Sequence, residues 1–518
     1  MSAPLFFGLL PLSPSDLWSW AVWFCLLFVL VKGWRLYLKW KQLVKAFSPF
    51  EGPKRHWLYG NAQEFLQNGN DMQIMIRYAE QYPYAFPLWL GNFFAALTIC
   101  HPDYAKAILS RQDPKDSFTY GFMIPWIGEG LLVLSGQKWF QHRRLLTPGF
   151  HYDVLKPYVR LMSDCVTVML DKWERLLTKD SPVELFHHVS LMTLDTIMKC
   201  AFSCHSNCQM NSESVYIKAV YELSYLADHR FFFLPYHNDV IFHLSPHGFR
   251  FRRALKIVHG HTDKVIQERK ISLKEETELE KIQKKRHLDF LDILLCAKDE
   301  NGQGLSYEDL RAEVDTFMFE GHDTTASGIS WTLYCMAKYP EHQEKCREEI
   351  REVLGDRTTV DWEDLGKLPY TTMCIKESMR LFPPVPEVVR QLKEPITFFD
   401  GRSLPKGTIV LISIYLINRC PSIWEDPEVF DPLRFSPENS ALRHSHAFLP
   451  FSAGARNCIG QNFAMNEMKV ATALTLQKFE LLPDPKSEPL QRAQLILRSI
   501  NGIHIYLKKI NCDKTKND

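Results

Sequence analysis

Cys458 stands two residues before Gly460 and four after Gly454, in the run Phe451-Ser452-Ala453-Gly454-Ala455-Arg456-Asn457-Cys458-Ile459-Gly460, directly ahead of the last helix-periodic segment, residues 459–477. The two glycines let the chain pass close to a flat object. A sulfur at a helix N-terminus meets the positive end of the macrodipole and free N–H groups, which stabilise a thiolate. Such a sulfur can ligate iron, so Cys458 is a candidate metal ligand. Phe451 is placed to pack on the loop and limit solvent at the sulfur, and Arg456 to pair with a cofactor carboxylate. A structural cysteine beside a glycine turn would not need this Phe, Gly, Arg and Cys together.

The 518 residues allow three or four average domains or one large helical enzyme. With 46% hydrophobic and 23% charged residues, the chain is neither disordered nor a multi-span membrane protein. Lys plus Arg (61) balances Asp plus Glu (60), so no basic field exists to hold nucleic acid, and any docking surface is local. The thirteen cysteines are odd in number and scattered, which suits a reducing cytosol. Cys200, Cys204 and Cys208 fall four apart, but no second ligand pair follows at zinc spacing, and they read as ordinary half-buried thiols.

Residues 17–31 carry no charge, and the apolar run continues past Lys32 through Trp34, Leu36, Tyr37 and Leu38. With snorkelling bases it can span a bilayer. No Lys or Arg precedes Lys32, whereas Arg35, Lys39, Lys41 and Lys45 follow, so the positive-inside rule puts the start in the lumen and the rest in the cytosol. The basic n-region and small-residue site of a cleaved signal peptide are missing. The expected division is a membrane anchor with a basic stop segment (1–46), a proline-rich hinge (47–60) containing Pro49-Phe50-Glu51-Gly52-Pro53, a catalytic domain (61–510) and a polar tail (511–518). The aromatic cluster Phe231, Phe232, Phe233 and Tyr236, followed by Ile241, Phe242 and Leu244, reads first as core. The alternative is a second patch dipping into the membrane, opening a route for a lipid-soluble substrate.

Periodicity predicts a mainly α fold with a small β region. Strand-like runs occur at 84–88 and 95–99, a helix at 72–81, long helical patterns over 153–270, a solvated connector at 271–286, and β character again over 384–420. Ser306 with Asp309 marks the start of a helix reaching Tyr339, about 50 Å long at 1.5 Å per residue. Residues 421–457 are irregular, broken by prolines.

The run 451–460 resembles the haem-thiolate loop of the cytochrome P-450 superfamily, and the remaining motifs occur in that family's order. Glu377 and Arg380 resemble its Glu-x-x-Arg helix pair, and Arg434 the arginine that completes an ion-pair triad. Leu433 stands where relatives usually have Glu. The same spacing recurs at Glu308, Glu344, Glu348 and Glu387, where it reads as a helix-surface pair. Only Glu377 precedes the run Pro383-Pro384-Val385-Pro386 and Arg390, in the order that lets Arg390 reach a haem propionate. Trp139 and Arg143 resemble the Trp-x-x-x-Arg helix that contacts a propionate. Arg144 points elsewhere and, with Lys138, suits a basic docking surface for a reductase or a solvated face.

Glu320-Gly321-His322-Asp323-Thr324-Thr325 resembles the family's oxygen-activation segment. Using dioxygen needs protons, and a hydroxyl with an acid beside it, Thr324 and Asp323, can hold and relay them. Gly321 and the two hydroxyls weaken the helix locally, opening a groove. Glu320 is the unusual member, and with Phe317-Met318-Phe319 before it the segment looks like the family-four fatty-acid omega-hydroxylase branch, B-like subfamily. There the matching Glu can form an ester with a haem methyl. A carboxylate fixed in that way narrows the cavity, so that a chain presents only its terminal methyl. Phe118 to Ile127 and 221–244 are expected to line the cavity and carry one cation, Arg230.

The resemblance implies a cytochrome P-450 fold with an N-terminal transmembrane anchor helix, in the endoplasmic reticulum membrane and facing the cytosol. It implies haem b (iron protoporphyrin IX), open to covalent attachment through Glu320, with NADPH used through NADPH–cytochrome reductase and cytochrome b5 as a further electron partner. The implied activity is omega-hydroxylation of medium-chain fatty acids and oxidation of small lipophilic xenobiotics. A haem-thiolate isomerase, against which the Asp323–Thr324 pair argues, and a non-enzymatic haem sensor are the alternatives.

Overall fold

The computed structural model describes residues 14–65, 69–177, 181–204, 207–210, 215–274, 288–297 and 304–510, with side chains from residue 18 onward. The polar tail and residues 275–286 of the connector lie outside the described residues. The apolar N-terminus and its basic continuation form one helix, α1 (Pro14–Phe47), long and apolar enough to cross a membrane and with none of its most apolar stretch buried. It ends where Phe47 turns inward onto Trp89, ring centroids 5.9 Å apart, and Phe50 follows into the core. The hinge is therefore packed against the body at its first residues.

Helix α2 (Asp71–Gln81) precedes an antiparallel hairpin of β1 (Ala85–Leu90) and β2 (Phe94–Ile99). The helical body follows: α3 (Gly136–Leu146), α4 (Tyr152–Leu176), α5 (Leu185–Ala201), α6 (Val215–Phe232), α7 (Asp239–Leu244) and α8 (Pro246–Ser272). Because α5 ends at Ala201, Cys200, Cys204 and Cys208 share no helix face. The long helix α9 (Tyr307–Lys338) starts where the Ser306 hydroxyl accepts the Asp309 N–H at 3.0 Å. It is buried almost throughout, as a helix apolar on all sides must be. It crosses the body against α5, then against α10 (Pro369–Leu381) and the final helix.

Strands β3 (Glu387–Gln391) and β4 (Ile409–Ser413) complete a four-stranded sheet of order β1-β2-β4-β3. Strand β4 is parallel to β2 and antiparallel to β3, with Glu387 opposite Ser413. The final helix, α11 (Gln461–Lys478), packs on α4 and α9. Beyond it, β5 (Phe479–Pro483) and β6 (His504–Lys509) pair antiparallel, an addition the helical periodicity did not foreshadow.

Candidate active site

A cavity of about 370 Å³ lies among α9, the 451–460 loop, α3, α6 and the β3–β4 edge. The loop delivers Phe451, Arg456 and Cys458 to its wall, α3 delivers Trp139 and Arg143, β3 delivers Arg390, and α9 delivers Glu320 and Thr324. Every expected cofactor-binding position therefore opens on one space.

The loop is held by its own backbone and by distant chain. The Cys458 N–H donates to Phe451 O at 2.9 Å. Gly454 has φ +73, and a Cβ there would sit 2.0 Å from Leu109 O, so no other residue fits that approach. Arg456 donates to Leu134 O (2.7 Å) and Leu132 O (3.1 Å) and lies 4.5 Å over the Trp139 ring. Arg143 donates to Asn457 O (2.9 Å) and Asn457 Oδ1 (3.0 Å), which clamps α3 to the cysteine loop.

Cys458 lies two residues before Gly460, the N-cap of α11. Burial pushes its thiol up to about 11 and the Glu320 carboxyl adds to this, while the Gly460 backbone, Arg143 and Lys115 oppose them. The helix end expected to stabilise the thiolate is thus outweighed by desolvation. Lys115, which no sequence motif singled out, also lines the cavity. Burial first, then Arg390, depresses it to about 7, against the pull of Glu320. Glu320 itself is raised to about 7 by burial, with Lys115 opposing.

On α9, Thr324 Oγ1 donates to Glu320 O at 2.7 Å and Thr325 Oγ1 to Gly321 O at 2.8 Å, the back-bonding that loosens a helix. A Cβ on Gly321 would lie 2.8 Å from Ile197, so glycine permits the close approach of α5. Asp323 is placed differently from the expected relay. It is fully buried, does not line the cavity, and accepts a 2.5 Å ion-paired hydrogen bond from Arg498 Nη2. Helical spacing explains this, because a neighbour of Thr324 on the helix faces about 100° away. Arg498 lies in a segment without periodicity, which is why sequence reading missed it.

The Glu377, Arg380 and Arg434 side chains meet. Arg380 donates through Nε and Nη2 to both Glu377 oxygens at 2.7 Å, and Arg434 Nε is 3.6 Å from Glu377 Oε1. Arg380 also ties down the carbonyls of Asn418, Pro427 and Val429. The cluster therefore anchors the irregular segment that leads into the cysteine loop. Arg230 does not reach the cavity wall. It donates to Tyr236 O and Asp239 and lies over the rings of Phe122 and Phe242, stapling the turn between α6 and α7. Lys138 pairs with Asp309 at 2.6 Å, leaving Arg144 as the exposed base of α3.

A cavity with one thiol, a cluster of cations and otherwise mainly apolar walls suits a flat, apolar, iron-bearing group with carboxylate arms. The Cytochrome P450 family model matches residues 50–505. The chain is 57% identical over 503 residues to cytochrome P450 4A6 of Oryctolagus cuniculus, covering 97% of this chain and 98% of that protein. It is 55% identical to cytochrome P450 4B1 of Rattus norvegicus, covering 96% and 98%. It is 58% identical to cytochrome P450 4A11 of Homo sapiens, covering 94% and 93%. Similarity to the 4A and 4B relatives is thus nearly equal.

Proposed function

This chain belongs to the cytochrome P450 family, and from that we propose that it is a haem-thiolate monooxygenase that hydroxylates the terminal methyl of medium-chain fatty acids and oxidises small lipophilic compounds. The observation that carries the reading is that Cys458 and the Glu320–Thr324 turn open on the same largely apolar cavity. Haem iron supplies dioxygen activation and C–H oxidation when bound. Cys458 would ligate it, shielded by Phe451, and Trp139, Arg143, Arg390 and Arg456 would hold its carboxylate arms. Thr324 would hold a proton-bearing hydroxyl at the cavity wall, and Asp323, held outside the cavity by Arg498, would supply protons to it only indirectly. Glu320, as a haem ester, would narrow the space so that an alkyl chain enters end-on.

Electrons would come from NADPH through a reductase docking near Arg144, with cytochrome b5 as a second donor. The anchor would hold residues 47–510 at the cytosolic face of the endoplasmic reticulum. A second membrane contact is supported by exposed Val240, Ile241 and Leu244 on α7, with only Phe242 turned inward. Leu234 and the backbone of Leu58 both approach Gly91, so this segment adjoins the exposed turn at Trp57 and the base of the anchor.

The test is the carbon monoxide difference spectrum of reduced wild type beside Cys458→Ser. A strongly red-shifted band lost in the variant supports the reading, and a histidine-type band or no haem sinks it. NADPH- and reductase-dependent conversion of dodecanoate to its terminal alcohol then separates a monooxygenase from an isomerase, which turns over without them, and from a sensor, which does not turn over.

A further inference from the structure

Glu387 opens strand β3 at the turn after Pro386, paired with Ser413, and lines the cavity. Protein packs round its carboxyl, yet the residue is only half-buried, so the open space it meets is the cavity. Among the described residues no donor or cation reaches it. Burial alone acts on it, raising it to about 7. By contrast, Glu320 feels Lys115, and Cys458 feels Glu320, Arg143 and Lys115. Glu387 therefore sits outside the electrostatic reach of the cysteine end, on a wall shared with Ala96, Phe231, Ile409 and Leu411. An unpaired carboxyl in an apolar wall costs free energy that a ligand group can offset.

We propose that Glu387 is a specificity-determining residue that pairs with a cationic group on the substrate, so that the cavity takes aliphatic ammonium compounds as well as fatty acids. This rests on the monooxygenase reading and deepens it. Other titratable groups face elsewhere or lie apart. Tyr415, next to β4, responds to Arg419 and Glu428. Arg390, at the far part of β3, responds to Tyr120 and Asp113.

The test uses purified holoprotein and the shift of the haem Soret band on titration with dodecyltrimethylammonium, whose nitrogen cannot ligate iron, with dodecanol as the neutral control. Wild type is expected to bind the cation about tenfold more tightly at pH 8 than at pH 6, as a group titrating near 7 ionises. Glu387→Gln should abolish that slope and weaken cation binding about tenfold at pH 8, with dodecanol unaffected. Glu387→Asp should keep the slope, and it carries the test if the Gln variant fails to take up haem. Equal cation affinity in wild type and Glu387→Gln at pH 8, or no pH slope in wild type, overturns the proposal. With a normal carbon monoxide band that result leaves the monooxygenase reading standing, whereas loss of the band in wild type sinks that reading itself.

Discussion

Arg498 Nη2 holds Asp323 Oδ2 at 2.5 Å, and the other carboxylate oxygen of Asp323 is buried without a partner. The acid next to Thr324 is thus pinned away from the cavity by a residue 175 positions later in the chain. Arg498→Leu strands a buried carboxylate and should cost about 3 kcal/mol or more in urea unfolding. Arg498→Lys, which keeps the charge, should recover most of that. If the Asp323 position matters for proton delivery, the Lys variant will also convert a smaller fraction of the NADPH it consumes into product.

His142 Nδ1 lies 2.6 Å from Glu313 Oε1, both buried, and Glu313 also accepts the Leu131 N–H. The pair fastens α3 to α9, and with them Trp139 and Arg143. His142→Leu is expected to lower stability by about 3 kcal/mol. In a Glu320→Ala background, where no ester holds the haem, the haem should dissociate faster, read as transfer to apomyoglobin. Unchanged transfer would show that the pair does not support the cofactor end of α3.

Glu467 on α11 is fully buried, and the nearby Thr325 and Thr196 hydroxyls donate to the carbonyls of Gly321 and Met192. Burial raises it to about 8, with the hydroxyls of Thr325 and Thr196 opposing. Unfolded, it would release its proton near the ordinary glutamate value of 4.5. Between those values the folded chain binds the extra proton, so stability falls as pH rises and the loss is complete by about pH 8. Glu467→Gln should remove this slope and be more stable than wild type at pH 8 by a few kcal/mol. Parallel curves of unfolding free energy against pH would refute the assignment.

Glu320→Ala tests the haem ester and the shape argument separately. Acid extraction should leave haem on wild type and free it from the variant. The ratio of terminal to subterminal hydroxydodecanoate should fall severalfold in the variant. Complete extraction from wild type rejects the ester, and an unchanged ratio rejects the role in regioselectivity.

The exposed face of α7 predicts membrane association beyond the anchor. A chain lacking residues 1–46 should still sediment with phospholipid vesicles. Changing Val240, Ile241 and Leu244 to Ser in that chain should release it to the supernatant while preserving the carbon monoxide band. Retention of the triple variant on vesicles would place the contact elsewhere.

What was legible in the sequence had local signatures. The long helix α9 announced itself through the Ser306 cap and the apolar run that follows, and the cysteine loop through its glycines, of which Gly454 makes the close backbone approach and Gly460 does not. Arg456 and Arg143 were readable as cavity residues from motif order. The partners were not. Arg498, Glu313 and Lys115 act across 175, 171 or more positions or through burial alone, and no periodicity encodes such pairings. Arg230 looked like a free cation in an aromatic stretch, but its own turn consumes its donors. The two terminal strands β5 and β6 were missed because Phe479–Pro483 and His504–Lys509 carry no clean apolar alternation to read.

The side-chain clamps on the cysteine loop come from chain made long before it. Arg456 reaches back 322 and 324 positions to Leu134 and Leu132, and Arg143 reaches forward 314 to Asn457. Contacts of such sequence separation form late and slowly. During synthesis the anchor emerges first and the clamp last, so most of the polypeptide is already exposed at the bilayer surface before its metal cradle has a second jaw. Cofactor loading in this chain is therefore a closing event of biosynthesis, and variants that loosen the clamp should accumulate as membrane-tethered apoprotein rather than as soluble fragments.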